Sequence, residues 1–192
     1  MKLIRLFSSN SYKGEKYYLK NQLFYEIVRT VLLFALSAAI YLIGLFTTGS
    51  NKNILTIVAV LGCLPACKSA VGMIMFIRYK SLTGIITDKI EEASTGLCNA
   101  YDTVFTSYDK NFQIGHLVVN KGCILCFDEK NKINSDAFSK HINTYLKNEN
   151  LKDITIKVFT YPDKYIERLY NLEKTISAKD KAILDVLLSI SL

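Results

Sequence analysis

The chain has 192 residues and a formal net charge of +7, and half of its residues are hydrophobic. This length allows one or two domains. Residues 1–29 carry six basic and two acidic side chains, whereas 16 basic residues accompany 15 acidic ones from Arg78 onward. A near-neutral C-terminal part lacks the broad positive field of a nucleic-acid-binding domain, so nucleic acid is not an expected partner.

Two apolar stretches predict a membrane hairpin within residues 1–80. The first runs from Thr30 to Phe46 and the second from Ile54 to Ile77, with a short polar turn between them. At about 1.5 Å per residue, helices of this size nearly or fully cross a hydrocarbon core of about 30 Å. Pro65 lies inside the second stretch, which we interpret as a kinked span, with a break into two short halves as the alternative. In a wholly soluble alternative, both stretches are core helices.

The flanks of the hairpin predict its orientation. Basic residues lie on both outer sides, and the turn carries only Lys52. Because cytoplasmic flanks of membrane spans are enriched in Lys and Arg, both termini are expected in the cytoplasm. The basic flanks also make membrane lipids expected partners. The five cysteines show no disulfide spacing, which fits reduced thiols on the cytosolic side.

Two features of the second stretch are candidate functional positions. Gly62, Ala66 and Ala70 recur at a spacing of four, so they share one helix face. Small residues at that spacing allow close packing, either inside the hairpin or against another copy or partner. Lys68 is a cation within the stretch, and neither apolar stretch holds an acidic residue to pair with it. It either snorkels to the interface or has a dedicated intramembrane role.

Residues 81–192 predict a soluble α/β (α+β) domain. The order is a helix, three strands, a helix, a strand and two helices, which implies a mixed sheet of about four strands with helices packed on it. Lys121 and Gly122 predict a turn between the second and third strands. The predicted helices are Ser81–Asn99, 134–148, one starting at Pro162, and 178–190, and the predicted strands are 103–108, 112–120, 123–128 and 154–161.

One motif in this domain resembles a known family. The string from Phe112 to Asn131 reads FQIGHLVVNKGCILCFDEKN. It is similar to the core motif of the nuclease-related domain, a family of the PD-(D/E)xK nuclease superfamily, and the predicted element order also resembles the core of that superfamily. The matching residues are Gln113, Ile114, His116, Leu117, Val118, Val119, Gly122, Asp128, Lys130 and Asn131.

The resemblance implies a site in which two carboxylates hold Mg²⁺ and a lysine positions or activates water. Asp128, Lys130 and Gln113 are the candidates that it indicates here. The first carboxylate position is occupied by Gly115, which cannot bind a metal. In addition, the strand before Asp128 is one residue longer than in the family pattern, which would turn side chains to the opposite face.

Asp102 and Asp109 are the candidate replacements for the missing carboxylate. Without a second carboxylate, we expect no metal site and no cofactor, and an ion pair between Asp128 and Lys130 becomes the simpler use of both residues.

The remaining chemically notable residues have a simpler structural interpretation. Cys123 and Cys126 are three residues apart on a predicted strand, so their thiols are expected on opposite faces. His116 and His141 are the only histidines, and we interpret both as structural residues rather than catalysts.

The leading hypothesis is a membrane-anchored cytoplasmic interaction or assembly domain without catalysis, which binds a protein partner or its own copies. One alternative is a diverged, membrane-tethered, metal-dependent nuclease-like protein. Another is a small transport or channel subunit that acts as an oligomer, with Lys68 facing an ion or anionic ligand.

Overall fold

The computed structural model describes residues 12–107, 110–130, 133–151 and 153–192. The chain forms two compact units: Leu19–Lys80, and a second unit that joins residues 12–18 to Ser81–Leu192. The elements are α1 (Tyr18–Thr48), α2 (Ile54–Ile77), α3 (Ile85–Ser94), β1 (Cys98–Thr106), β2 (Asn111–Asn120), β3 (Cys123–Phe127), α4 (Ser135–Asn148), β4 (Thr155–Phe159), α5 (Pro162–Tyr170) and α6 (Ala178–Ile190).

The first unit contains two helices, α1 and α2, that are long and apolar enough to span a membrane by length and composition. Helix α2 has the predicted bounds and continues through Pro65. Its N-terminus is capped by Asn53, whose side chain accepts a hydrogen bond from the amide of Thr56. Helix α1 begins at Tyr18, well before the predicted apolar stretch, because polar helix-forming residues precede that stretch and extend the helix.

The second unit is built on a four-stranded sheet in the order β1-β2-β3-β4. The first two pairings are antiparallel and the β3–β4 pairing is parallel, with α4 as the crossover. This confirms the predicted mixed sheet and element order. Lys121 and Gly122 form the β2–β3 turn with φ values of 49° and 73°, as a two-residue hairpin turn of this kind requires.

Helices cover both faces of the sheet, and each face has its own apolar cluster. On one face, Phe138 and Ile142 of α4 and Leu187 of α6 pack against the sheet. On the other face, Ile90 of α3 and Leu169 of α5 pack against it. The second unit is therefore a three-layer α/β/α arrangement.

Some predicted bounds in the second unit are wrong. Helix α3 covers only Ile85–Ser94, and Cys98 and Asn99, which were predicted to end a helix, begin strand β1. The cause is Gly96, whose φ of +83° ends the helix within a residue or two of Ser94. Helix α6 has the predicted bounds; its capping box joins Ser177 and Asp180.

A short segment that ends at the first residue of α1, residues 12–18, belongs to the second unit and is called the N-terminal strap here. The amide of Tyr101 in β1 donates a hydrogen bond of 2.9 Å to the carbonyl of Gly14. Lys13 Nζ donates to the backbone carbonyl of Ser191. Lys16 forms ion pairs with two acidic residues of α3, Glu91 and Asp88, which raise its pKa.

Candidate functional site

The three candidate residues of the nuclease-like motif lie together beside the ends of β2 and β3. Lys130 Nζ donates a hydrogen bond of 2.8 Å to Gln113 Oε1. The buried carboxylate of Asp128 accepts hydrogen bonds from the backbone amides of Lys130, at 3.0 Å, and Ile133, at 2.9 Å. The predicted ion pair between Asp128 and Lys130 is therefore wrong: the carboxylate shapes the loop that leads to α4, and the ammonium binds an amide oxygen.

Gly115, which the resemblance places at the first carboxylate position, is covered by a leucine. A Cβ atom at Gly115 would lie 3.4 Å from Leu82 Cδ1, and Leu82 is buried. Asp102, on the neighbouring strand, has a φ of +51° and a buried side chain. Its Oδ1 accepts a hydrogen bond of 2.9 Å from the amide of Leu82, so this carboxylate holds in place the segment that covers Gly115.

The other candidate replacement, Asp109, lies outside the described residues. Among the residues that the structure describes, no group of three or more His, Cys, Asp or Glu side chains is arranged to hold a metal ion.

His116 lies in the core of the second unit. Its Nδ1 is 2.8 Å from the hydroxyl of Tyr165, and its ring centroid is 4.4 Å from that of Tyr101. Burial lowers the pKa of His116 to about 3, so the imidazole is neutral at physiological pH. Its Nε2 is also buried and has no hydrogen-bond partner among the described residues. A neutral, enclosed histidine of this kind is placed to support packing rather than to exchange protons with a substrate.

The cysteine pair Cys123 and Cys126 is divided between the two faces of the sheet, as predicted. Cys126 belongs to the cluster under α4 and α6, whereas Cys123 packs against the cluster under α3 and α5. Both thiols are free, and burial raises the pKa of each, which opposes formation of the reactive thiolate.

The candidate positions in α2 differ in their surroundings. Ala66 is fully buried, and Gly62 lies against α1, where its Cβ would be 2.8 Å from Ser37 Oγ. Ala70 is half-buried. Lys68 is exposed and forms no ion pair with a described residue.

A polar cluster between α1 and α2 was not identified from the sequence. Glu26 accepts hydrogen bonds from Gln22 and Arg29. Arg29 Nε donates to Ser69 Oγ at 3.0 Å, and the hydroxyls of Thr30 and Ser69 are 2.9 Å apart. The spacing of four that joins Gln22, Glu26 and Thr30 on one face of α1 was the available signal. The connection to Ser69 depends on the pairing of the helices.

Comparison with known protein families, curated proteins and solved structures finds no match to this chain.

Proposed function

We propose that this chain is an integral membrane protein whose hairpin anchors a non-catalytic α/β domain at the cytoplasmic face, where the domain binds a protein partner or another copy of the chain. The observation that carries this proposal is the composition of the second unit, which joins residues 12–18 to Ser81–Leu192. The chain therefore passes from this unit into α1, and it re-enters the same unit after α2. If they span a membrane, both ends of the hairpin lie on the same side.

The apolar surface of the helices supports insertion. Within the most apolar 18-residue window of each helix, only 17% of the residues are buried. Large side chains such as Val31, Phe46, Leu64 and Ile77 are more than half exposed. The core helices of a soluble protein would bury these side chains, whereas lipid chains solvate them without cost.

The position of the polar cluster along α1 supports insertion of the helix into a membrane. Residues 30–48 of α1 form a continuous helix of about 28 Å at about 1.5 Å per residue, close to the hydrocarbon thickness of about 30 Å. Glu26 and Arg29 precede this part and pair with each other. Their charges therefore fall near the interface on the side of the termini, where the basic flanks favour the cytoplasm.

The arrangement around Gly115 supports a domain without nuclease chemistry. A divalent ion needs oxygen ligands that converge, and two carboxylates are the usual source. Here Leu82 lies over Gly115, while Asp128 and Asp102 accept hydrogen bonds from backbone amides. These contacts favour a structural role for both carboxylates.

The second candidate function is a membrane-tethered, metal-dependent nuclease. The proximity of Gln113, Asp128 and Lys130 favours it, as does the order of helices and strands in the second unit. The transport alternative has less support, because Lys68 is exposed and the cavity between α1 and α2, of about 250 Å³, has an almost wholly apolar lining that includes Phe34, Val60 and Cys63.

Purification of the full chain in a mild detergent tests the proposed function. Alkaline carbonate should leave the chain in the membrane pellet. Light scattering of the purified protein should report either two or more copies or a second protein at a fixed ratio. Release by carbonate would contradict the membrane anchor, and a single copy without any fixed partner would contradict the interaction role.

A nuclease assay separates the two candidate functions. The purified chain should not cleave DNA in the presence of Mg²⁺. The control is Asp136→Asn, at an exposed position of α4. Cleavage that is lost in Asp128→Asn and retained in Asp136→Asn would contradict our proposal and support the nuclease function.

A further inference from the structure

A cavity of about 500 Å³ opens in the second unit between α4 and the adjoining ends of β1 and β2. It lies on the opposite side of β2 from the clustered motif residues, because Phe112 in its lining belongs to the cluster under α4 and α6. Its volume is within the range of about 300–1,000 Å³ that is typical of small-molecule sites. The side chains relevant to binding are Ser107, Lys110, Phe112, Asn134, Lys140 and His141.

The charged residues described in the lining of the cavity are both basic. Lys110 and Lys140 line it, and the lining residues that the structure describes include no Asp or Glu. Neither lysine forms an ion pair with a described residue. Two ammonium groups around a concave surface, neither paired with a described acidic residue, concentrate positive potential there, although the unit as a whole is nearly neutral.

The polar groups of the cavity are suited to donate hydrogen bonds. Asn134 Oδ1 already accepts from the amides of Asp136 and Ala137, both at 3.0 Å, so its side-chain amide keeps only donors for a ligand. These bonds also cap the N-terminus of α4, so the helix terminus itself is not the binding site. The hydroxyl of Ser107 adds a further donor group.

The cavity also has an aromatic surface. The ring centroids of Phe112 and His141 are 5.8 Å apart, and the other neighbour of His141 is Tyr145, at 5.1 Å. Burial lowers the pKa of His141, which keeps the ring uncharged at neutral pH. Phe112 is 5% exposed and forms the floor of the cavity, so the half-buried ring of His141 is the flat surface that a ligand can reach. A flat side chain beside two cations is suited to a ligand that combines a ring with an anionic group.

We propose that this cavity binds a phosphate-bearing small molecule with a flat ring, of the nucleotide class. Lys110 and Lys140 contact the phosphate oxygens, Asn134 and Ser107 donate hydrogen bonds to them, and His141 contacts the ring above the edge of Phe112 that lines the cavity. A phosphorylated lipid headgroup offers the same phosphate chemistry without an aromatic ring, so the two sources can be distinguished by experiment.

Calorimetric titration of the full chain in mild detergent tests this assignment. ATP should bind, pyrophosphate should compete with it, and adenosine should bind at least about tenfold more weakly, because the charge-assisted contacts are lost. The affinity for ATP should fall as NaCl is raised. The double variant Lys110→Gln, Lys140→Gln should lose about tenfold or more in affinity.

The matched control is Lys147→Gln, which removes the same charge from an exposed position of α4 outside the cavity and should leave ATP affinity unchanged. Three results would overturn the proposal: no binding of ATP, equal affinity for ATP and adenosine, or equal loss in the control and the double variant. Tighter, lysine-dependent binding of inositol 1,4,5-trisphosphate than of ATP would also overturn the nucleotide assignment and identify a lipid headgroup as the ligand.

Discussion

Lys13 donates a hydrogen bond to the backbone carbonyl of Ser191, a residue 178 positions later in the chain. Burial of Lys13 in this contact lowers its pKa. The contact joins the N-terminal strap, which precedes the hairpin in the chain, to the C-terminal end of the second unit, which follows the hairpin. The strap therefore makes the α/β domain discontinuous, and this feature connects the fold to the proposed membrane topology.

The strap depends on Gly14. This residue has a φ of +83°, and a Cβ there would lie 3.0 Å from Ala100 Cβ and 3.1 Å from Leu188 Cδ2. We expect Gly14→Ala to destabilise the second unit by about 1–3 kcal/mol, through crowding added to backbone strain. Thermal unfolding of the full chain and tryptic cleavage after Lys16, detected by mass spectrometry, measure the effect.

The control for this prediction is Gly96→Ala. Gly96 also has a φ of +83°, but its Cβ would meet Lys174 only at the ordinary distance of 3.8 Å. The variant therefore retains the strain without the crowding. Equal unfolding temperatures and equal cleavage rates in the two variants would show that the strap does not pack as described.

The polar cluster of the hairpin gives a second prediction. Ser69→Ala removes the partner of Arg29 and Thr30 and should weaken the pairing of α1 with α2. A reporter disulfide between Ser37→Cys and Gly62→Cys suits the measurement, because a Cβ on Gly62 would lie 3.7 Å from Ser37 Cβ. The equilibrium constant for its formation in a redox buffer should fall about eightfold, because two interhelical hydrogen bonds of about 0.6 kcal/mol each are lost.

The neighbouring variant Lys68→Met is the control, in a background where Cys63 and Cys67 are alanine. Lys68 is exposed and has no ion-pair partner among the described residues, so this equilibrium constant should not change. A loss in Lys68→Met equal to that in Ser69→Ala would instead assign Lys68 a dedicated role in the hairpin.

The buried histidine makes stability depend on pH. The pKa of His116 is about 3 in the folded chain, compared with 6.5 for an unhindered imidazole. As pH falls below 6.5, the unfolded chain takes up a proton that the folded chain does not. Stability is therefore lost between about pH 6.5 and 3, with a limiting slope of about 1.4 kcal/mol per pH unit.

The variant His116→Gln lacks this titration and can still bond to Tyr165. Unfolding free energies of the two proteins, measured from pH 7 to pH 4, should therefore converge or cross as the pH falls, with the wild type losing stability faster. Parallel curves would mean that His116 is not held neutral by burial. Other titrating groups are present in both proteins and cancel in the difference.

The parts of the fold that were predicted from the sequence are those specified by residues close together in the chain. Helix α6 begins with the Ser177–Asp180 capping box, and the β2–β3 turn is specified by Gly122. The predicted start of β1 was wrong because an apolar stripe that ends at Leu97 favoured a helix up to Asn99, whereas the left-handed conformation of Gly96 ends the helix earlier. A glycine in a sequence permits a positive φ but does not show that the chain adopts one.

The candidate site was only partly predictable for a similar reason. Gln113 and Lys130 of the motif are in contact, because Gln113 lies on β2, Lys130 follows the end of β3, and a short turn joins the two strands. The cover that Leu82 forms over Gly115 depends on a contact between distant segments. The link from Arg29 to Ser69 depends on how two helices pair, which no local pattern specifies.

The most direct test of the central claim is to label single cysteines with a membrane-impermeant maleimide in sealed vesicles of known orientation. Glu15→Cys lies in the strap, Ser50→Cys in the turn of the hairpin, and Ser135→Cys at the start of α4, and all three positions are exposed. Cys63, Cys67 and Cys123, the native cysteines that are not buried, are replaced by alanine, and this parent without an introduced cysteine measures the background. We predict that positions 15 and 135 react from the cytoplasmic side and position 50 only from the other. Reaction of positions 15 and 135 from opposite sides, or of all three from one side, would contradict the account.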